Sequence, residues 1–100
     1  MIYITQLIYI HEGKEQTFHQ FEDVAIPLIE KYNGRLLLRL RPSAEQFIAG
    51  ELETPYEVHL VSFPGEADFN AFKIDKEREN FLHLKDASVR KMLLVQGNAL

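Results

Sequence analysis

The chain has 100 residues, of which 46% are hydrophobic and 26% charged, and its formal net charge is −4. This length and composition predict one compact domain over residues 1–100. The acidic balance argues against nucleic-acid binding. The absence of cysteine excludes disulfides and thiolate metal ligands and fits a reducing compartment, so we expect a cytoplasmic protein.

The opening segment, "MIYITQLIYI", predicts a β-strand over residues 2–10. It lacks the basic start of a signal peptide, and the polar residues Thr5 and Gln6 interrupt its apolar run. No other segment approaches the length of a membrane span. We therefore expect no membrane partner.

The segment after Gly13 predicts an amphipathic helix that ends at Asn33-Gly34. Its apolar residues recur at helical spacing and form one stripe, which must pack on another part of the protein. The stripe consists of Phe18, Phe21, Ala25, Leu28, Ile29 and Tyr32.

Three further strands and a second helical region follow. Residues 35–42, "RLLLRLRP", predict strand two, and "FIAGELE" in the connection 43–55 is expected to extend the hairpin. Residues 56–63 predict strand three, and residues 90–96 predict strand four. Between them, Pro64-Gly65 turns the chain into a helix, and Asp75 is the expected N-cap of a second helical segment through Leu84.

The order βαββαβ predicts an α+β fold of the ferredoxin-like type, a four-stranded antiparallel sheet with both helices on one face. Strands one and four nevertheless carry apolar residues on both sides. Two helices cover only one face, so we expect a second copy of the chain to cover the other. In strand one, one side carries Ile2, Ile4, Ile8 and Ile10 and the other carries Tyr3, Leu7 and Tyr9. In strand four, one side carries Leu93 and Val95 and the other carries Met92 and Leu94.

Several segments resemble the dimeric α/β-barrel superfamily. "HEGKEQTFHQF" is similar to the turn that opens helix one in antibiotic biosynthesis monooxygenases, whereas "EKYNGRLL", Gly50, "FPGEADFNAF" and "DKERENFLHL" resemble the family called domain of unknown function 1330. The resemblance implies a homodimer whose two sheets face each other. In enzymatic members it also implies a pocket between sheet and helices, but it transfers no catalytic residue to this chain.

The candidate ligand-pocket residues are Arg39, Arg41 and His59, which share one sheet face if Arg39 pairs with His59. The arginines would receive an anionic ligand, and His59 is the candidate for acid–base catalysis, kept neutral by the field of Arg39. The alternative is a structural cluster at the dimer interface, with Arg41 meeting Glu57 across the strands.

Two other features favour structural readings. Glu15, His19 and Glu22 have spacings that suit a divalent metal, but such spacing is common on solvated helices, so we expect no metal and no cofactor. The strand-to-helix corner in "FPGEADFNAF" lies beside the pocket in enzymatic relatives. Its residues are also those of an ordinary turn, with acids at a helix start and two core phenylalanines.

Two classes of function remain open. One is an enzyme that transforms a small organic molecule, of the cofactor-free oxygenase or isomerase type, and it requires a cavity with a convergent polar group. The other is a noncatalytic ligand-binding or stress-response dimer. In that case the interior is expected to be filled by Phe18, Phe21, Phe69, Phe72 and Phe81.

Overall fold

The computed structural model describes residues 1–100 and contains four strands and four α-helices. In chain order they are β1 Ile2–Ile10, α1 Glu15–Lys31, β2 Arg35–Leu40, β3 Glu57–Phe63, α2 Glu66–Lys73, α3 Lys76–Asn80, α4 Leu82–Ser88 and β4 Val89–Gly97. The strands form one sheet in the order β2-β3-β1-β4, and all neighbours are antiparallel. This arrangement confirms the ferredoxin-like α+β prediction. No helix is both long and apolar enough to cross a membrane.

The register between β2 and β3 agrees with the prediction in its central part and differs at one end. Arg39 lies opposite His59, as expected. Between Leu36 and Leu38 the register shifts by one residue, so that Arg35 pairs with Ser62, whereas an unbroken register from the Arg39–His59 pair would put it opposite Phe63. A bulge of this kind keeps Leu36 on the same side of the sheet as Arg39, which strict alternation would not allow.

Helix α1 covers one face of the sheet with the predicted apolar stripe. Phe18, Phe21, Ala25, Leu28 and Ile29 are all buried. They pack above a core in which the strands supply most of the apolar atoms. The central cluster of that core is Ile2, Ile4, Ile29, Val61, Phe63 and Phe69.

The end of α1 is set by two residues with different backbone requirements. Asn33 has a φ of 64°, a left-handed conformation that asparagine tolerates better than most residues. At Gly34 the chain passes close to the core, since a Cβ atom there would lie 2.6 Å from Phe63 Cε1. Only glycine fits without movement of the aromatic ring, so the predicted Asn33-Gly34 terminus is confirmed.

The second crossover consists of three short helices, and Asp75 organises the junction between the first two. Its side chain accepts a hydrogen bond from the backbone N–H of Arg78 at 3.0 Å, which confirms the predicted N-cap of α3. The hydroxyl of Tyr32 and the Lys31 ammonium also donate to it. Hydrogen bonds from Tyr32, from that backbone N–H and from Lys31 hold the pKa of Asp75 well below its usual range.

The connection 43–55 does not extend the hairpin, so that expectation is wrong. Its regular structure is a single 3₁₀ turn over Ala44–Gln46, closed by reciprocal hydrogen bonds between Ser43 and Gln46. Gly50 has a φ of 128°, which breaks an extended strand at this point. Ile48 is 96% exposed and forms no part of the core.

The helices leave one sheet face uncovered. We call this the bare face and define it by two rows of residues that cross all four strands, Leu38–Leu60–Thr5–Val95 and Leu40–Val58–Leu7–Leu93. Neither row contains a charged residue. At the two edge strands the side chains remain open to solvent, from 36% exposure at Leu93 to 62% at Val95.

Candidate functional site

A cavity of about 50 Å³ lies between the helix-covered face of the sheet and the helices. Its walls are largely apolar, and five polar or charged side chains enter it from both layers. Gln6 and His59 come from the sheet, whereas Glu22, Arg78 and Lys85 come from the helices. The apolar lining consists of Ile4, Ile8, Phe18, Phe21, Ala25, Ile26, Ile29, Val61, Phe63, Phe69, Phe72, Val89 and Met92.

A buried carboxylate at the start of β3 organises the polar residues of the sheet. Glu57 is completely buried and accepts hydrogen bonds from Arg39 Nε at 2.9 Å and Nη2 at 3.1 Å, from Arg41 Nε at 2.6 Å and from His59 Nε2 at 2.7 Å. Burial alone would raise the pKa of Glu57. The hydrogen bonds from His59, Arg39 and Arg41 outweigh burial and lower the pKa to about 2.

These hydrogen bonds fix the imidazole of His59. An ionised carboxylate only accepts hydrogen bonds, so His59 Nε2 must carry the proton in its bond to Glu57. The other ring nitrogen, Nδ1, lies 4.0 Å from Glu22 Oε2. That separation is too long for a hydrogen bond. In the neutral ring Nδ1 therefore has a lone pair that can accept a proton, and this atom makes no hydrogen bond to Glu22.

Glu22 lies on α1 opposite His59 and is 7% exposed. Burial raises the pKa of Glu22 above its ordinary value, and the nearby charges of His59 and Arg39 oppose this increase only in part. His59 Nδ1 is the only cationic or potentially cationic nitrogen within 4.0 Å of its carboxylate. A carboxyl group and an imidazole nitrogen thus face each other across a short gap at the cavity.

Two cationic side chains approach the same cavity from α3 and α4. The Arg78 guanidinium lies 5.1 Å from the ring centre of Phe72 and 5.7 Å from that of Phe21, and its Nη1 donates to the carbonyl of Lys73. Its Nε is buried and has no hydrogen-bond acceptor. Burial lowers the pKa of Lys85, and the charge of Arg78 adds to this effect.

The structure brings Arg39, Arg41 and His59 together, but it does not put all three at the cavity. Of the three, only His59 lines the cavity, because both arginines bind Glu57. Arg39 was expected to dominate the field at the ring, yet the group bonded to the ring is the Glu57 carboxylate. The alternative of an ion-paired cluster at the dimer interface is correct about the Arg41–Glu57 pair. Glu57 and His59 lie on the helix-covered face of the protomer, and the location at a dimer interface stays a prediction.

Sequence reasoning missed Arg78 and Lys85 and gave Glu22 a different role. A signal for Glu22 was present, because it continues the buried stripe of α1 between Phe18 and Ala25. Arg78 and Lys85 belong to short helices whose inward faces are too brief to show a period.

The three residues weighed as metal ligands do not converge. Glu15 is exposed, Glu22 points into the cavity, and His19 Nε2 lies 2.6 Å from the hydroxyl of Tyr56, within hydrogen-bond distance. No group of three or more histidine, aspartate or glutamate side chains in the chain is close enough to hold a metal ion.

The strand-to-helix corner after β3 contributes walls to the cavity and no polar group. Phe63, Phe69 and Phe72 all line it. Of the two acids in the first turn of α2, Glu66 accepts a hydrogen bond from Gln96 at 2.8 Å and Asp68 accepts one from Asn33 at 3.4 Å, both at the surface. The residues of this corner thus have structural roles in the protomer.

Comparisons with solved structures support the fold. A protein of unknown function from Rhodopseudomonas palustris aligns with a TM-score of 0.83 at 15% identity over 99% of this chain and 82% of its own. A dabb family protein with a ferredoxin-like fold from Mesorhizobium loti aligns with a TM-score of 0.67 at 16% identity over 99% of this chain and 96% of its own. A dimeric ferredoxin-like protein of unknown function from Jannaschia aligns with a TM-score of 0.72 at 16% identity over 98% of both chains. No protein-family profile and no curated protein matches the sequence.

Proposed function

We propose that the chain is a one-domain cytoplasmic homodimer of the dimeric α/β-barrel type, with the bare faces of two copies opposed. The apolar rows of the bare face support this assembly, since monomeric proteins rarely expose a continuous apolar sheet. The similar Jannaschia protein is described as dimeric. We also propose that the chain is related to antibiotic biosynthesis monooxygenases and to domain of unknown function 1330 proteins, because its motifs resemble theirs.

We further propose that each protomer binds a small organic molecule in its cavity and transfers a proton to or from it without a cofactor. The observation that carries this proposal is the Glu57–His59–Glu22 arrangement. Glu57 fixes the imidazole by its bond to Nε2, and Nδ1 faces Glu22 at the cavity. A fixed imidazole with one nitrogen held by a carboxylate is a general acid–base device.

In this proposal His59 Nδ1 takes a proton from a carbon beside a carbonyl group. The C–H electron pair moves into the carbonyl to form an enolate, and the imidazolium that results is stabilised by Glu57. Return of the proton to another atom of the same molecule completes an isomerase-type reaction. Glu22 is placed to exchange protons with Nδ1 when the ligand separates or bridges the two groups.

Hydrogen–deuterium exchange tests this chemistry without knowledge of the natural substrate. Short keto compounds are incubated with the protein in D₂O, and NMR follows exchange at the carbon beside the carbonyl. We expect catalysed exchange with at least one compound and its loss in His59→Gln, while the variant remains a folded dimer. Equal exchange rates with both proteins, or loss of the dimer in parallel with activity, would remove His59 from the catalytic role.

The size of the cavity favours a second candidate function, a noncatalytic ligand-binding or stress-response dimer. About 50 Å³ holds only a few water molecules or a very small ligand. Four of the five phenylalanines expected to fill the interior do line this space, whereas Phe81 does not. Binding of a small molecule without exchange of any carbon-bound proton would select this candidate.

A further inference from the structure

The charges that line the cavity differ in sign from the charge of the whole chain. The protein carries a formal charge of −4, yet the lining contains two cations, Arg78 and Lys85, and one carboxylate, Glu22. With His59 neutral the lining sums to +1. Behind the lining, Arg39 and Arg41 pair with the single carboxylate of Glu57, so this cluster adds a further +1 and reinforces the balance. An anionic group inside the cavity would therefore be attracted to it.

Arg78 offers a defined receptor for such a group. Its Nη1 is occupied by the carbonyl of Lys73, while its buried Nε has no acceptor. The Nε and Nη2 atoms form the side edge of the guanidinium, to which Nη1 does not belong. That edge matches the two oxygens of a carboxylate. A buried N–H without an acceptor costs free energy, which a bound anion would recover.

Glu22 does not already fill this role. No nitrogen of Arg78 or Lys85 lies within 4.0 Å of its oxygens, where His59 Nδ1 is the single potentially charged neighbour. Apart from Gln6, the rest of the lining consists of phenylalanine, aliphatic and methionine side chains, including Phe21 and Phe72 beneath the guanidinium. These walls suit an apolar body attached to the anionic group.

We propose that the ligand of this cavity is a small carboxylate with an apolar body, whose carboxylate is bound by the side edge of Arg78 with Lys85 as the second cation. This inference rests on the proposed function, since it names the ligand class of the same cavity. It places the apolar carbons of the ligand between the phenylalanines and its reactive end toward His59 and Glu22.

The test uses propionate and propionamide, which have the same number of heavy atoms and differ in charge. Binding of each to the full chain is followed by saturable shifts of amide signals in two-dimensional NMR spectra. We expect propionate to bind at least tenfold more tightly than propionamide. Arg78→Met keeps an apolar stem over Phe72 and should remove most of this difference by weakening propionate binding, with the remainder due to Lys85.

Lys85→Met is the second variant in case Arg78→Met does not fold, and it should reduce the preference for propionate by a smaller factor. The matched control is Lys76→Met on the exposed side of α3, which should leave both ligands unaffected. Equal binding of the two ligands to the unmodified protein, or an unchanged preference in both cavity variants, would overturn the carboxylate assignment and leave small-molecule binding intact. Failure of both ligands to bind would instead contradict the proposed function as well.

Discussion

The two faces of the sheet differ in where their polar residues lie, because the face covered by helices carries buried polar groups beside its apolar core, whereas the central rows of the bare face are almost entirely apolar. The face covered by helices carries the row Arg39–His59–Gln6–Leu94 and the buried carboxylate of Glu57. The bare face carries seven aliphatic residues and one threonine in its two rows. Polar groups are thus enclosed within the protomer beside the core, and the apolar rows of the bare face are left open. In the proposed homodimer the second copy covers these rows.

The two faces of the sheet are therefore suited to different functions. Charges on the covered face are held in place by neighbouring charges, so their geometry belongs to one protomer and does not depend on a partner. In the two rows of the bare face the Thr5 hydroxyl is the single hydrogen-bonding side chain, and the apolar area of these rows suits association. We therefore expect substitutions on the bare face to alter assembly and substitutions on the covered face to alter protonation.

The largest effect is expected from Leu93→Asp on the bare face. In a symmetric dimer the substitution occurs twice, and each copy places an unpaired charge in an apolar interface. We expect the dimer to lose about 5 kcal/mol, which raises its Kd several thousandfold. Sedimentation velocity at micromolar concentration should then show a monomer.

Leu94→Asp is the matched control for that substitution, because the next residue of β4 points to the other side of the sheet and is 43% exposed. It should leave the dimer intact. If Leu93→Asp sediments as the unmodified protein does, or if the unmodified protein is already a stable monomer, the opposed bare faces are wrong and another molecule must cover them.

A smaller loss is expected from Glu57→Gln on the covered face. The two carboxylate oxygens accept four hydrogen bonds, and the change replaces one of these oxygens by an NH₂ group that donates, so the two guanidinium groups lose their counter-charge. Because Arg39 and Arg41 remain 30% and 50% exposed, water compensates them in part, and we expect about 3 kcal/mol of lost stability in urea unfolding. Glu53→Gln, which removes a surface partner of Arg90, is the control and should cost less than about 1 kcal/mol.

The pH dependence of this loss has a defined sign. The pKa of Glu57 is lowered on folding from 4.5 to about 2, so its contribution is full above pH 4.5 and disappears as the pH falls toward 2. The stabilities of the unmodified protein and Glu57→Gln should therefore converge over that range. A difference that stays constant from pH 7 to pH 3 would show that packing, and not ionisation, causes the loss.

Much of the fold was predictable from the sequence because the strong periodic patterns are local. The stripe of α1, its terminus at Asn33-Gly34, the Asp75 cap and the Arg39–His59 pairing were all predicted correctly. The bulge beside Leu37 was not, since a run of three leucines fits either register equally well. The predicted hairpin extension is wrong because the β-forming residues of "FIAGELE" do not pair with a neighbouring strand.

The candidate site was less predictable for a physical reason. Alternation shows which residues share a face but does not show which face the helices cover, and here both faces of β1 are apolar. The pattern therefore put His59 and Glu57 on one side together without showing that this side is the one that the helices cover. The distance between His59 and Glu22 depends on how α1 packs on the sheet, and no local sequence pattern predicts such a tertiary distance.

The smallest effect is expected from Glu22→Gln, which tests the electrostatics of the cavity. Burial raises the pKa of Glu22, so the folded chain holds this proton more tightly than the unfolded chain does. Its stabilising contribution is full below the ordinary value of 4.5 and is lost as the pH rises through the raised pKa. At pH 8 the variant lacks the buried charge and should be more stable by about 1 kcal/mol, a typical size for one substitution.

This advantage should shrink as the pH is lowered and vanish below 4.5, where Glu22 is protonated in both states of the unmodified protein. Urea unfolding at pH 8, 6 and 4 measures it, and NMR titration of the carboxyl carbon gives the pKa directly. Asp23→Asn on the exposed side of α1 is the control and should show no such trend. If Glu22→Gln is instead less stable at pH 8, the favourable interactions of the Glu22 carboxylate outweigh the cost of its burial.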